Sequence, residues 1–286
     1  MDEALKTHLK TGSTTVCRAW LVRREDGETL GFTDHDCDLE FDGVVFAART
    51  GLTAGALEKT KGMAVDNTEV LGALSDAAVS EDDIVAGRYD GAEVTTFLVN
   101  WAEVTARVVL FRGTFGELTR SDGAFRVELR GLTEPLNAPV GRVYHADCGA
   151  ILGDRMCKID LSEPAFSLDL SLSAVIDGRT LHLPAQAAYP DGWFAQGQAV
   201  LTSGIGKGQS GRIKSDRTIK GIRTIELWQT FGLWPSASDE VKLVAGCDRR
   251  ASTCREKFSN FLNFRGFPHI PGEDWLRSNP STSGRR

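Results

Sequence analysis

Leu39-Glu40-Phe41-Asp42-Gly43-Val44-Val45-Phe46 reads as a single β-hairpin. Short apolar runs flank an Asp-Gly pair, which suits a two-residue turn because both turn positions need positive φ. The same dipeptide recurs at Asp26-Gly27, Asp90-Gly91, Asp122-Gly123, Asp177-Gly178 and Asp191-Gly192. After Asp122-Gly123, Phe125, Val127 and Leu129 alternate with Arg126, Glu128 and Arg130. Leu181 and Leu183 follow Asp177-Gly178 in the same rhythm. Val16 to Val22 is more continuously apolar and reads as a buried strand. The pattern predicts a mainly β fold built from successive antiparallel hairpins.

Few helices are expected. Residues 2–10 carry Leu5 and Leu9 four apart, with Gly12 as a stop. Ser80 with Asp83 caps a short helix over 81–87. Thr253 and Glu256 match a capping box, so a third helix is expected from Thr253, carrying Phe258, Phe261 and Leu262 and ending near Gly266, before Pro268. The aromatics Phe258, Phe261, Phe264, Phe267 and Trp275 are read as core and interface. A boundary is placed near residue 160, where LSEPAFS precedes a second β block starting near Leu168. The expected domains are 1–160, a hairpin-rich β domain, and 161–275, a smaller β domain with a C-terminal helix. The polar tail 276–286 is expected to be disordered.

The chain has 286 residues and a net charge of −6. A clustered basic excess, the footprint of nucleic-acid binding, is absent. The N-terminus is polar, and no run of 18 apolar residues occurs, so neither a secretory leader nor a membrane segment is expected. Synthesis and residence in the cytoplasm are the expectation. Thiols stay reduced there, so grouped cysteines favour metal over disulfides.

Four of the six cysteines form two tight pairs, Cys148 with Cys157 and Cys247 with Cys254. Two short loops, each offering two thiols, suit a four-thiolate metal site that joins the two domains. Arg249, Arg250, Arg255 and Lys257 surround the second pair, and cations offset the negative charge of such a centre. Cys254 is expected at a helix start, where the dipole stabilises a thiolate. Gly149 and Gly246 flank Cys148 and Cys247 and would let backbone amides approach sulfur. Eight residues separate the first pair and six the second, wider than usual zinc knuckles and unlike ferredoxin runs. A cubane iron–sulfur cluster and a zinc ion both remain open on spacing alone. Cys17, in an apolar strand, and Cys37, beside a turn, are read as filling the core or a loop.

Other candidates are set aside. Asp34-His35-Asp36 could bind a divalent cation, but its neighbouring turn signals favour an ordinary strand connection. SGIGKGQSGRIKS lacks the phosphate-loop spacing and leads into Ile222, Ile225 and Leu227, so it reads as a hairpin or edge loop, not a nucleotide site. A peptidase pairing Cys17 or Cys37 with His145 lacks the helix-start placement of activated thiols. No flavin or nucleotide fingerprint supports the alternative of an iron–sulfur redox enzyme, and a zinc-stapled binding module is a further alternative.

The blocks GFTDHDCDLEFDGVVF, GLTEPLNAPVGRVYHADCGAILGDRMCKIDL and GCDRRASTCREKFSNFLNFRGFPHIPGED together resemble the tail baseplate hub family of alphaproteobacterial prophages and gene transfer agents. The resemblance runs from about residue 1 to 275 and is most specific at the cysteine blocks. It implies a structural, non-enzymatic virion protein, assembled in the bacterial cytoplasm. Its place would be a homotrimeric ring between the distal tail protein and the tail tip or fibre-bearing protein, with DNA passing through the lumen without specific binding. Similarity to the iron–sulfur tail-tip proteins of lambda-like phages implies a [4Fe-4S] cluster on Cys148, Cys157, Cys247 and Cys254. Cys37 stands where related sequences often carry arginine and is not implied as a ligand.

Overall fold

The computed structural model describes residues 3–48, 53–54, 67–73, 80–121, 124–132 and 141–270. The Asp122-Gly123 turn, Trp275 and the tail 276–286 lie outside the described residues. The chain divides into two compact units, 1–139 and 140–286. Residues 140–160 therefore pack with the C-terminal unit, not with the N-terminal domain to which the sequence reading assigned them.

The first unit holds nine strands: β1 Val16–Arg23, β2 Thr29–Thr33, β3 Leu39–Phe41, β4 Val44–Ala47, β5 Thr53–Ala54, β6 Asn67–Ala73, β7 Glu93–Asn100, β8 Arg107–Ser121 and β9 Ala124–Gly131. They form one sheet in the order β3-β4-β2-β1-β7-β8-β9-β6-β5. Pairing is antiparallel except between β2 and β4, which run parallel with Gly31 opposite Phe46. The quoted hairpin forms as expected, with Leu39 opposite Phe46 and Asp42 at φ 51°. β8 and β9 pair around residues 122–123, with Ser121 opposite Ala124.

β1 explains its continuous apolar sequence by burying both faces. Trp20 and Val22 enter one cluster with Phe32, Tyr89, Val94, Val127 and Leu129. Cys17, Ala19 and Leu21 enter another with Leu39, Phe41, Phe46, Phe97 and Val99. The β7–β8 ladder slips by one residue, with Thr96 opposite Phe111 and Phe97 opposite Val109, so Leu110 of β8 is the extra residue of a bulge. Two helices flank the sheet, α1 Glu3–Leu9 and α2 Glu81–Val85, the latter capped by Ser80, whose Oγ accepts the Asp83 amide at 3.1 Å.

The second unit holds β10 Ser167–Ser171, β11 Ala174–Ile176, β12 Thr180–Pro184, β13 Gln198–Leu201, β14 Ser210–Ile219, β15 Ile222–Leu227 and β16 Glu240–Val244. Their order is β10-β16-β13-β14-β15-β12-β11, all antiparallel. Leu181, Leu183, Ala199, Leu201, Ile213, Ile225, Leu227, Val241 and Leu243 alternate inward into one core. Of the two readings of SGIGKGQSGRIKS, the hairpin holds: residues 202–209 join β13 to β14, which pair antiparallel. The β14–β15 turn is Lys220-Gly221, at φ 50° and 81°, where no Asp-Gly signal exists. Asp90-Gly91 and Asp191-Gly192 lie in turns that do not join paired strands.

Helix α3 differs from expectation. It spans Ala251–Glu256, its N-cap is Arg250, and no side chain caps it. Ser259, at φ 47°, turns the chain away from helix, and a separate 3-10 turn covers Phe261–Asn263. The Thr253–Glu256 pattern therefore falls inside a helix that has already begun.

Candidate metal centre

All four paired cysteines lie in the second unit, so any site they form is internal to it rather than a joint between domains. None of the six cysteines is in a disulfide. Three segments meet there through specific hydrogen bonds. The Cys148 amide donates to the Arg249 carbonyl at 2.8 Å, which ties the first cysteine loop to the second. The Gly149 amide donates to the Arg265 carbonyl at 3.2 Å, and the Phe267 amide to the His145 carbonyl at 2.9 Å. Asn260 bridges the remaining pair. Its amide donates to the Cys254 carbonyl at 2.9 Å, and its Nδ2 donates to the Cys157 carbonyl at 2.6 Å.

Three donors also point at sulfur. Arg249 N lies 3.4 Å from Cys247 Sγ, Arg265 N lies 3.3 Å from Cys148 Sγ, and Asn260 Nδ2 lies 3.7 Å from Cys157 Sγ. Such donors stabilise negative sulfur and tune a bound metal. The expected role of Gly149 and Gly246 is different from the one read in the sequence. Their amides donate to the Arg265 and Trp193 carbonyls, not to sulfur. Gly266, read as a helix stop, instead lets two strands of backbone touch, because a Cβ there would lie 2.5 Å from the Asp147 carbonyl oxygen.

The thiols feel one another. Burial, then the nearby Cys148, Cys247 and Cys157, push the Cys254 thiol up to about 11. Burial also raises Cys247, with Cys148 and Cys157 adding to it. Without a cation Cys247 and Cys254 stay protonated; with one, their negative charge is neutralised where it is otherwise costly. Cys254 is the fourth residue of α3 and its amide is bonded to the Arg250 carbonyl, so the free donors of a helix start are not what serves it.

The loop between Cys148 and Cys157 is shaped by Asp154, which accepts the amides of Cys157 at 2.6 Å, Met156 at 2.8 Å and Ile151 at 2.9 Å. These bonds, the Cys157 amide first, hold its carboxyl below the usual carboxylate range. Lys158, Arg249 and Ser259 all sit at positive φ, at 63°, 63° and 47°. A non-glycine residue there costs roughly 1–2 kcal/mol, and such strain gathers where a site over-determines the backbone. Among the expected cations, Arg255 stands over the Phe261 ring at 4.4 Å, and Arg249 contributes its backbone rather than its guanidinium. Lys257, at the end of α3, donates to the Gly246 carbonyl at 2.8 Å and lies over the Trp193 ring at 4.6 Å. Burial pulls it down to about 8.

Comparisons with known proteins bear on this architecture. A family model described as the baseplate hub protein N-terminal attachment domain matches residues 2–160. A second, described as a phage conserved hypothetical protein, matches residues 192–274. A solved chain from the virion of a native gene transfer agent particle is 51% identical, with a TM-score of 0.91, and the match covers 100% of this chain and 98% of that one.

The chain belongs to the baseplate hub protein family.

No curated protein matches it. The hub family model ends at residue 160, where the sequence reading placed its boundary, whereas packing divides the hub protein after Pro139. No helix among the described residues is long and apolar enough to cross a membrane. Two other readings of cysteine are clarified. Cys17 is buried in β1, and burial raises its thiol, the opposite of an activated nucleophile. Cys37 is exposed.

Gly246 provides a test of how the hub protein holds Cys247. A Cβ there would lie 1.7 Å from the Ala195 carbonyl oxygen and 2.5 Å from the Gly197 amide. Gly246→Ala must displace backbone, so a loss of about 3 kcal/mol is expected in urea unfolding of the chain. A midpoint equal to wild type would show that the segment before Cys247 yields freely.

Proposed function

We propose that this protein is a structural hub of a phage-like tail baseplate, in a gene transfer agent or related prophage particle. Three copies form a ring between the distal tail protein and the tail tip protein, and DNA passes through the lumen without specific binding. Each copy carries a [4Fe-4S] cluster on Cys148, Cys157, Cys247 and Cys254. The protein acts as a scaffold, not an enzyme.

The observation that carries the metal reading is the meeting of two cysteine-bearing segments with a third, residues 260–267, and the amide donors that face sulfur at Cys148, Cys157 and Cys247. A bound cluster would supply four metal–thiolate bonds and a compact anionic body. The chain's own part is to aim the four side chains, to offer N–H donors to them and to keep Lys257 near the Cys247 segment. Residues 141–160 contain no strand, and Val143, Tyr144 and Ile151 on this segment are exposed. A segment so poor in buried apolar surface needs another source of order, and metal ligation provides one. Likeness to a chain of a gene transfer agent virion supports the particle, and the net charge of −6 suits a lumen that must not retain DNA.

Anaerobic purification tests the cluster. A brown protein with about four irons and four acid-labile sulfides per chain is expected. A colourless protein with one zinc per chain would overturn the cluster in favour of a zinc-stapled module. Native mass measurement, alone and with the neighbouring tail proteins, should give a trimer; a persistent monomer in the assembled complex would overturn the ring.

A further inference from the structure

The loop between β2 and β3 gathers three different metal-ligating groups. The donor atoms of His35, Asp36 and Cys37 all lie within 4.8 Å of one another. His35 Nε2 is 3.2 Å from Asp36 Oδ1. Two ligands at 2.0–2.1 Å on a tetrahedral ion lie about 3.3 Å apart, so this pair is already spaced for one. We infer that His35, Asp36 and Cys37 form a second metal site, which takes a borderline divalent cation of the zinc type in the N-terminal unit. This site is independent of the four-cysteine centre.

The loop is fixed before any ion arrives. At its start, the Asp34 carboxylate accepts the Arg18 amide at 2.6 Å and Thr33 Oγ1 accepts the His35 amide at 3.2 Å. At its end, Asp38 accepts the Ala48 amide at 2.9 Å. The His35 ring packs against Trp101, with centroids 5.0 Å apart, and its side chain is 16% exposed. His35 Nδ1 accepts the Cys37 amide at 3.0 Å and also lies 3.1 Å from the Cys37 carbonyl oxygen. A cation on Nε2 would move the ring proton to Nδ1, which then gives up accepting the Cys37 amide and donates to that carbonyl, the usual partner behind a metal-bound imidazole.

The donor set chooses the ion. One imidazole nitrogen, one carboxylate oxygen and one thiolate suit zinc and its neighbours and disfavour magnesium or calcium, which take oxygen. Asp36 is 90% exposed, so the fourth position faces outward and accepts water. A His35–Asp36 ion pair is the competing account. Exposed pairs contribute little, and such a pair does not call for Cys37 beside it.

Cobalt(II) is the probe, added to the full-length protein with its four-cysteine centre loaded. One cobalt per chain is expected, with thiolate-to-cobalt absorption. Cys37→Ser should abolish that absorption, and His35→Ala and Asp36→Asn should each weaken binding by about tenfold or more. Iron content, measured on the same samples, should stay at the wild-type level in all three variants. Cobalt uptake identical in wild type and Cys37→Ser, or no uptake in wild type, would overturn the site. A failure of the cluster proposal would show separately, as missing iron in wild type with this cobalt signal intact.

Discussion

Cys254→Ser leaves the seven-stranded sheet folded but frees the two cysteine-bearing arms, and trypsin then cuts them rapidly. Structural thiolate sites supply on the order of 10 kcal/mol, comparable with a whole domain's stability. The sheet has its own core, from Leu172 to Leu243, and does not depend on the site. Residues 141–160 and 247–270 have far less. Arg142, Arg155, Lys158, Arg249, Arg250 and Arg255 are exposed there and give trypsin several targets. Cys37→Ser, in the other unit, should digest like wild type. Equal digestion of all three proteins would remove the case for this ligand set.

Metal removal adds a pH signature whose sign is read from the difference between stripped and loaded protein. In the stripped protein Cys254 rises to about 11 from an ordinary 9.0. Between those values the unfolded chain has released a proton that the folded one keeps, so this thiol's contribution falls as pH climbs through 9, while Lys257, pulled down to about 8, contributes in the opposite direction. The loaded protein, whose sulfurs are already deprotonated, should show no such fall. Thermal melts of stripped and loaded protein from pH 8 to about 11 would read this difference directly.

Asp216→Ala is expected to be the most damaging change within the second sheet, at about 3–5 kcal/mol. Asp216 on β14 and Arg223 on β15 are an ion pair with both side chains 0% exposed, Nε to Oδ1 3.4 Å. Asp216 also accepts the Phe194 amide at 2.9 Å, while Arg223 Nη2 donates to the Tyr189 and Pro190 carbonyls. The pair thus pins the 189–194 turn onto the sheet. Removing the carboxylate strands a buried guanidinium. Burial nevertheless raises the Asp216 carboxyl in spite of Arg223, which says that desolvation outweighs the attraction. The double replacement Asp216→Leu with Arg223→Met should accordingly recover most of the loss or exceed wild type. Urea unfolding of the single and double variants decides it: a double variant worse than the single would mean the pair is a net stabiliser.

The hairpins were legible because a period of two and an Asp-Gly turn are local signals. β1 was legible because a strand buried on both faces must be apolar throughout. The parallel contact between β2 and β4 was not, since it brings together segments that no turn connects. The Thr253–Glu256 pair misled for a related reason: a capping box has meaning only where a helix starts, and the Arg250 backbone had already started it. Cysteine spacing picked out the residues of the candidate centre. Their support was hidden, because Asn260, the Arg265 amide and the tight pass at Gly266 act across more than a hundred residues of chain. The reading near 160 coincides with the end of the hub family model, while packing divides the chain after Pro139, because the partners of residues 141–160 are distant in sequence and Pro164 is the louder local signal.

The sheet of the first unit closes on very short margins, three residues at β3 and two at β5. Among the described residues, few unpaired backbone groups are offered for a stray strand to extend the ladder. Such margins guard the chain against unwanted strand addition. Selectivity of docking is left to side-chain surfaces, which recognise partners, rather than to main-chain edges, which do not.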